Sequence, residues 1–289
     1  MPPSNAKSTS NPDGPSARVS ALHIELRPIE TLAEHRACVA LQREVWGAEF
    51  DEIVPASLML AAGHVGALSI GAYTDGDELV GFVFGLTGQM NGEAVHWSHM
   101  LGVRASVRDQ GIGRGLKECQ RATLAGRGIT RMYWTFDPLQ ARNAHLNLNR
   151  LGARVIEYVA DMYGSSQSPL HHAIATDRVV VECPTTASAG ITRAADSIVL
   201  DAQPVLTPFP RPGDVSSNGG APRAALIEVP WDLQEVVAAS PSKAGEWRTA
   251  TRVHFQWALS NRYDVTGLHR DAAARRAFFI IEHGAGPNQ

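Results

Sequence analysis

Cysteine is scarce in this chain, with three residues among 289. Cys38, Cys119 and Cys183 stand far apart and lack metal-ligand spacing. Such a set argues against a disulfide scaffold and for a reducing compartment. No apolar run approaches the roughly 20 residues needed to cross a bilayer. The opening stretch "MPPSNAKSTSNPDGPSARVS" has no apolar segment of the kind a secretory signal carries. An excess of charge of one sign is missing too. The formal net charge is −3, which gives no bulk electrostatic support to nucleic-acid or membrane-surface binding. The composition is that of a globular protein, 44% hydrophobic and 19% charged, and a cytoplasmic location is expected.

Residues 1–20 are rich in Ser, Pro and Asn and are expected to be a disordered tail. A main domain is expected over 21–183. "HIELRPI" alternates like a half-buried strand, and "ETLAEHRACVALQREVW" has helical spacing. "PASLMLAAGHVG" predicts a second helix with Pro55 in its first turn. "ALSIGAYT" and "LVGFVFGLTG" predict strands joined across the Asp-Gly of "DGDE". "AVHWSHMLGV" is a fourth strand, followed by a glycine loop and a helix to about Gly126. "TRMYWTF" is a fifth strand, "NAHLNLNRLG" a helix ending at Gly152, and "ARVIEYVA" and "DRVVVEC" two last strands. Residues 184–222 shift to Pro, Gly and Ser and are expected to be a linker. Order returns over 223–289, a smaller α/β module running strand, helix, helix, strand, strand. Residues 23–86 run in the same order, so the module is read either as a degenerate half-repeat or as an unrelated appendage.

The loop "RDQGIGRGLK" is where chemistry is expected. A chain that leaves a strand and enters a helix aims several backbone N–H groups one way, and the helix dipole adds positive character. Gly111, Gly113 and Gly115 allow close approach, and Arg108, Arg114 and Lys117 supply charge. No Walker run, G-x-x-x-x-G-K-[ST], is present. The spacing G-x-G-x-G also departs from the dinucleotide fingerprint G-x-G-x-x-G. On the loop alone, an anion cradle and a plain helix start remain open.

The order of elements, together with R-x-x-G-x-G in "RDQGIG", resembles the GNAT superfamily of acyl-CoA-dependent N-acyltransferases over roughly residues 23–182. "MLGV" before the loop and "NAHLNLNRLGA" after it match the family's pattern. "HMLGV", "WTFDPLQARNAHLNLNRLGA", "YG" and "DRVVVE" resemble a little-characterised subgroup, some members of which are associated with N-succinylamino acid metabolism. The resemblance implies a mixed, mostly antiparallel α/β sheet flanked by helices, with the fourth and fifth strands splayed to admit CoA. It implies acetyl-CoA or another acyl-CoA as co-substrate, no metal, and a small amine or amino acid as acceptor. It also implies that Leu101, Val103, Arg108, Gln110, Gly111, Ile112, Gly113, Arg114 and Gly115 hold the CoA backbone and diphosphate. Asn143 and Asn147 would hold the pantetheine arm or its waters. A non-catalytic acyl-CoA-binding domain is the alternative, and a tail-exchanged homodimer is a further expectation.

Acyl transfer to an amine needs a base, a donor for the oxyanion and an acid for the leaving thiolate. The resemblance assigns the oxyanion donor to a backbone N–H near Leu101. His99 on the fourth strand is the preferred base, against the alternative of a satisfied core histidine. Alternation turns His96 to the other face, and Glu52 and Glu93 are weaker candidates. Where the family carries a tyrosine acid, this chain has Leu148; Tyr163 is an available hydroxyl. Asp137 before Pro138 is read as a turn former ahead of the alternative that it faces the substrate from the end of its strand. Asp177 and Arg178 are read as an ion pair at the sheet edge, with substrate contact as the alternative. Arg248 and Arg252, at i and i+4, are read as a solvated helix face or as contacts to a substrate carboxylate. Trp46, Trp97 and Trp134 are read as core or pocket wall, and a metal at His171 and His172 is disfavoured.

Overall fold

The computed structural model describes residues 23–164, 174–186, 205–206 and 222–283. The tail at 1–20, His171, His172 and most of the expected linker lie outside the described residues. The first strand, β1 (Ile24–Pro28), leads to α1 (Leu32–Trp46), α2 (Ala56–Gly63), β2 (Leu68–Thr74), β3 (Leu79–Met90) and β4 (Glu93–Val103). Next come α3 (Ile112–Gly126), β5 (Arg131–Phe136), α4 (Ala141–His145), β6 (Arg154–Val159) and β7 (Arg178–Pro184). The helix expected over 143–152 starts two residues earlier, and α4 runs on into a π-turn at Leu146–Arg150.

These strands form one seven-stranded sheet in the order β1-β2-β3-β4-β5-β7-β6. Every neighbouring pair is antiparallel except β4 and β5. The mixed, mostly antiparallel sheet flanked by helices is therefore as expected. Local chemistry explains the ends. Thr31 and Glu34 form a reciprocal capping box at the start of α1. The expected hairpin turn closes with Asp77 at φ 59°, a left-handed position that Asp tolerates. Alternation on β3 splits the core. Phe82 and Phe84 pack with Cys38, Leu41 and Met59 beneath α1 and α2. Val83 packs with Ile112 and Leu116 beneath α3. Each side chain of this size, fully buried, contributes about 1.5–3 kcal/mol.

A second sheet follows, built from β8 (Val205–Leu206), β9 (Ala224–Val229), β10 (Tyr263–Asp271) and β11 (Arg276–His283), with α5 (Leu233–Ala239) and α6 (Pro241–Ser260) between β9 and β10. Its order is β10-β11-β9-β8, with β8 parallel to β9. The correspondence with residues 23–86 fails at the pairing. There the first strand pairs with the second, whereas β9 pairs with β11, its third. The pairing order of this sheet is instead that of β4-β5-β7-β6, again with the first two strands parallel.

The second sheet is packed against the first, and its strand β8 lies inside the stretch 184–222 that is expected as a linker. Trp134, Phe136 and Val181 of the large sheet share one apolar core with Ile227, Phe255 and Phe279. Asn149, in the π-turn, accepts from the Leu268 N–H (3.0 Å) and donates to the Leu268 carbonyl (3.2 Å). Its side chain thus substitutes for a neighbouring strand along β10. Among the described residues no helix is long and apolar enough to cross a membrane.

Candidate active site

The glycine loop leaves β4 at Val103, passes a short 3-10 turn at Ala105–Val107, and enters α3 at Ile112. Asp109 has φ 63° and Gly111 has φ 82°, so the chain reverses through two left-handed residues, the second of which suits glycine. Gly111 is the N-cap residue, and its carbonyl accepts from the Gly115 N–H at 2.9 Å. No side chain caps this end and no acidic residue lies in its first turn. Among the described residues, the leading amides of α3 therefore have neither an intrahelical nor a side-chain acceptor.

The expected charges are arranged differently from the sequence reading. Arg108 Nε donates to the Val103 carbonyl at 3.0 Å, pinning the loop to the strand end. Arg114 Nε donates to Glu118 at 2.8 Å, one turn along. Arg142 Nη2 meets Asp109 Oδ1 at 2.7 Å, joining the loop to α4. Lys117 is not a loop charge at all. It points inward and is 7% exposed.

Beside the loop the sheet opens. Opposite β3, Met100 pairs with Phe84 and Ser98 pairs with Gly85. His99 is therefore the extra residue of a β-bulge. Gly85 is required here, because a Cβ would lie 2.2 Å from His96 Nε2 and 2.6 Å from the Trp97 carbonyl. On its other side β4 pairs with β5 only at His96–Met132 and Trp97–Tyr133. From Ser98 onward the two strands part, and the gap forms a cavity of about 280 Å³. Its walls carry Ser98–Leu101 from β4, Trp134–Asp137 from β5 and its end, and Asn143 and Asn147. Trp46, Phe50 and Glu52 close one side, and Tyr163 and Arg178 another.

The two histidines of β4 separate cleanly. His99 is exposed to the cleft and meets the Phe84 ring edge-on at 6.4 Å. Loss of surrounding water lowers its pKa, so the ring is neutral at pH 7. His96 is buried on the far face. Its Nε2 accepts from Gln120 at 3.0 Å and its Nδ1 lies 3.2 Å from Thr87 Oγ1. Burial, aided by Lys117, brings its pKa down to about 4. It is a satisfied core histidine.

Lys117 Nζ donates to Ser98 Oγ at 2.7 Å and stands 4.1 Å from the centre of the Trp134 ring. Burial lowers its pKa to about 7. Trp134 is fixed by its Nε1, which donates to Asn147 Oδ1 at 3.0 Å, while Asn147 Nδ2 donates to Asn143 Oδ1 at 3.2 Å. Asn147 is thus spent on holding the wall, and Asn143 is the exposed member of the pair. Leu148 is buried in the shared core. Tyr163 lines the cleft with its hydroxyl 3.2 Å from Thr135 Oγ1 and the Arg178 guanidinium 5.3 Å from its ring centre. Glu52 also lines it, with a pKa raised by burial and by Asp51. Glu93, at the exposed start of β4, lies outside the lining.

The floor joins the end of β5 to α6. Arg248 is 3% exposed rather than solvated. Its two Nη atoms donate to the two oxygens of Asp137, each at 2.7 Å. Asp137 does form the expected turn, accepting from the Leu139 N–H at 2.9 Å. Burial alone would raise the Asp137 pKa, but the Arg248 guanidinium outweighs it and the net shift is downward. Asp177 pairs with Arg252 (2.9 and 2.6 Å) and accepts from the Tyr158 hydroxyl at 2.6 Å. Arg178, its expected partner, instead donates to the Asp177 carbonyl at 3.1 Å and faces the cleft. The i, i+4 spacing of the two arginines was the available signal, but nothing in the sequence says which face of α6 is covered.

No protein-family model and no curated protein matches the chain. Among solved structures the chain is similar to the ribosomal-protein-S18-alanine N-acetyltransferase of Escherichia coli, at 15% identity, over 58% of this chain and 97% of that one, with a TM-score of 0.44. It is similar to an aminoglycoside 6'-acetyltransferase type Ii at 19% identity, over 57% and 99%, with a TM-score of 0.45. An acetyltransferase of the GNAT family from Streptococcus pneumoniae is similar at 12% identity, over 56% and 99%, with a TM-score of 0.46.

Proposed function

We propose that the chain is an acyl-CoA-dependent N-acyltransferase that moves an acetyl or similar short acyl group from CoA to a small amine or amino acid. The observation that carries this reading is a junction. The N-terminus of α3, without a side-chain cap among the described residues, lies against Leu101, which lines the gap where β4 leaves β5. A diphosphate held at the first can send its thioester into the second. In this reading the amides of Ile112, Gly113, Arg114 and Gly115, with Arg108 and Gln110 beside them, hold the diphosphate. The edges of β4 at Leu101 and Val103, with Asn143, guide the arm, and Asn147 positions Asn143. A Leu101 N–H donates to the oxyanion. Neutral His99, on the bulge, takes the amine proton.

The experiment is thermal unfolding with CoA, acetyl-CoA and succinyl-CoA, on the parent and on Gly113→Glu. A ligand at a hundred times its Kd stabilises the parent by about 2.7 kcal/mol, and Gly113→Glu is expected to lose that shift. An amine panel with thiol release as readout follows, with His99→Ala expected to slow release by about 10²–10⁴-fold. No shift with any thioester removes the donor site. The buried Leu148 at the family's acid position favours a second reading, an acyl-CoA-binding domain without turnover. A shift without amine-dependent thiol release is its signature.

A further inference from the structure

Three of the 26 basic residues are lysines, and one of these, Lys117, is buried against the cleft. Elsewhere in the described structure a buried cation is an arginine held by a carboxylate, as Arg248 is by Asp137. Lys117 has no carboxylate partner among the described residues. Its contacts are the Ser98 hydroxyl and the face of Trp134. The titratable groups packed around it are His96 from β4 and Cys183 from β7. Both are kept uncharged at pH 7, since burial lowers the one and raises the other. Farther into the cleft stand His99, Glu52, Tyr163 and Arg178. A cation so placed is short of a counter-ion, and the cleft is where an anion would be made.

We propose that Lys117 is the catalytic acid that protonates the departing CoA thiolate, held in position by Ser98 and Trp134. The proposal rests on the acyl-transfer reading. As the acyl carbon–sulfur bond breaks, its electron pair goes to sulfur, and an ammonium proton of Lys117 follows. CoA leaves as the thiol and Lys117 is left as a neutral amine. The proton lost by the acceptor amine goes to His99. His99 then releases one proton to water and Lys117 regains one, so the cycle closes without a further reactant. Arginine could supply the charge but not the proton, since it does not deprotonate in proteins. A lysine whose pKa burial brings down to about 7 gives both. The assignment also accounts for Leu148: the acid has moved from α4 to α3.

The test compares binding of two CoA analogues to the full chain, one with the thiol oxidised to the anionic sulfonate and one with the sulfur removed (desulfo-CoA). The parent, Lys117→Met, Lys117→Gln and Tyr163→Phe are measured, each checked for folding by its thermal midpoint. The preference of the parent for the sulfonate is expected to fall at least tenfold in both Lys117 variants, with desulfo-CoA bound as before. Tyr163→Phe is expected to keep it. In turnover with hydroxylamine as acceptor, the alkaline fall of kcat is expected to vanish in Lys117→Met while KM for acetyl-CoA holds. An unchanged sulfonate preference in both Lys117 variants overturns the proposal and leaves the acyltransferase reading standing. Loss of preference in Tyr163→Phe alone transfers the role to Tyr163. Failure of the parent to bind either analogue removes the acyl-transfer reading, and Lys117's role with it.

Discussion

At the α3 end of the cleft, Arg114 meets Glu118 and Arg142 meets Asp109 with all four side chains 40% exposed or more. At the α6 end, Arg248 meets Asp137 with both side chains at 6% or less. The two ends use the same charges for different ends. At the mouth, water screens the pairs, so they hold the loop only lightly. On the floor, the pair was dehydrated when the chain folded. It fixes the end of β5 against α6 with two parallel hydrogen bonds. Lys117 lies between these extremes, buried like the floor but without an acid.

The sharpest way to break this comparison is Asp137→Ala, which strands the Arg248 charge in the core. Urea unfolding is expected to show a loss of about 3–5 kcal/mol. The double replacement Asp137→Leu with Arg248→Met is expected to recover most of it, because no charge is then buried. A loss below 1 kcal/mol from Asp137→Ala would mean that water reaches the floor.

Lys117 gives the next largest effect, as a pH dependence. Its folded pKa, about 7, lies below the value of 10.5 for an unperturbed lysine. Between the two the unfolded chain binds the proton more tightly, so stability is reduced below pH 7 and rises with pH across this window. The slope for one proton approaches about 1.4 kcal/mol per pH unit. Lys117→Met is expected to remove that slope and to raise the thermal midpoint at pH 7. An identical pH profile in parent and variant would show that Lys117 keeps an ordinary pKa.

The smallest effects belong to the mouth. Arg114→Ala and Asp109→Ala are each expected to cost under about 1 kcal/mol in urea unfolding, and less at high salt. If either matched Asp137→Ala, the contrast between the two ends would fail.

The sequence alone determined the elements, because they depend on local periodicity and local chemistry. Strand alternation, the Thr31–Glu34 box and the glycine at 111 each act within a few residues, and each strand and helix expected in the described part of the chain is present. It also separated His96 from His99 by alternation along one strand. What it could not determine was every contact that joins distant parts of the chain. Lys117 was read as a loop charge because its neighbours in sequence are Arg114 and the glycines. Only the packing of α3 on the sheet turns its side chain to Ser98, 19 residues away. For Arg248 the sequence leaves a solvated face and a substrate carboxylate contact open, because a helix face is polar or covered according to what lies against it. Its partner is 111 residues distant. The pairing of β9 with β11 rather than β10 was equally hidden, since strand order is set by which edges meet in the folded core and not by order along the chain. Burial made each of these groups what it is, and burial is a property of the assembled fold.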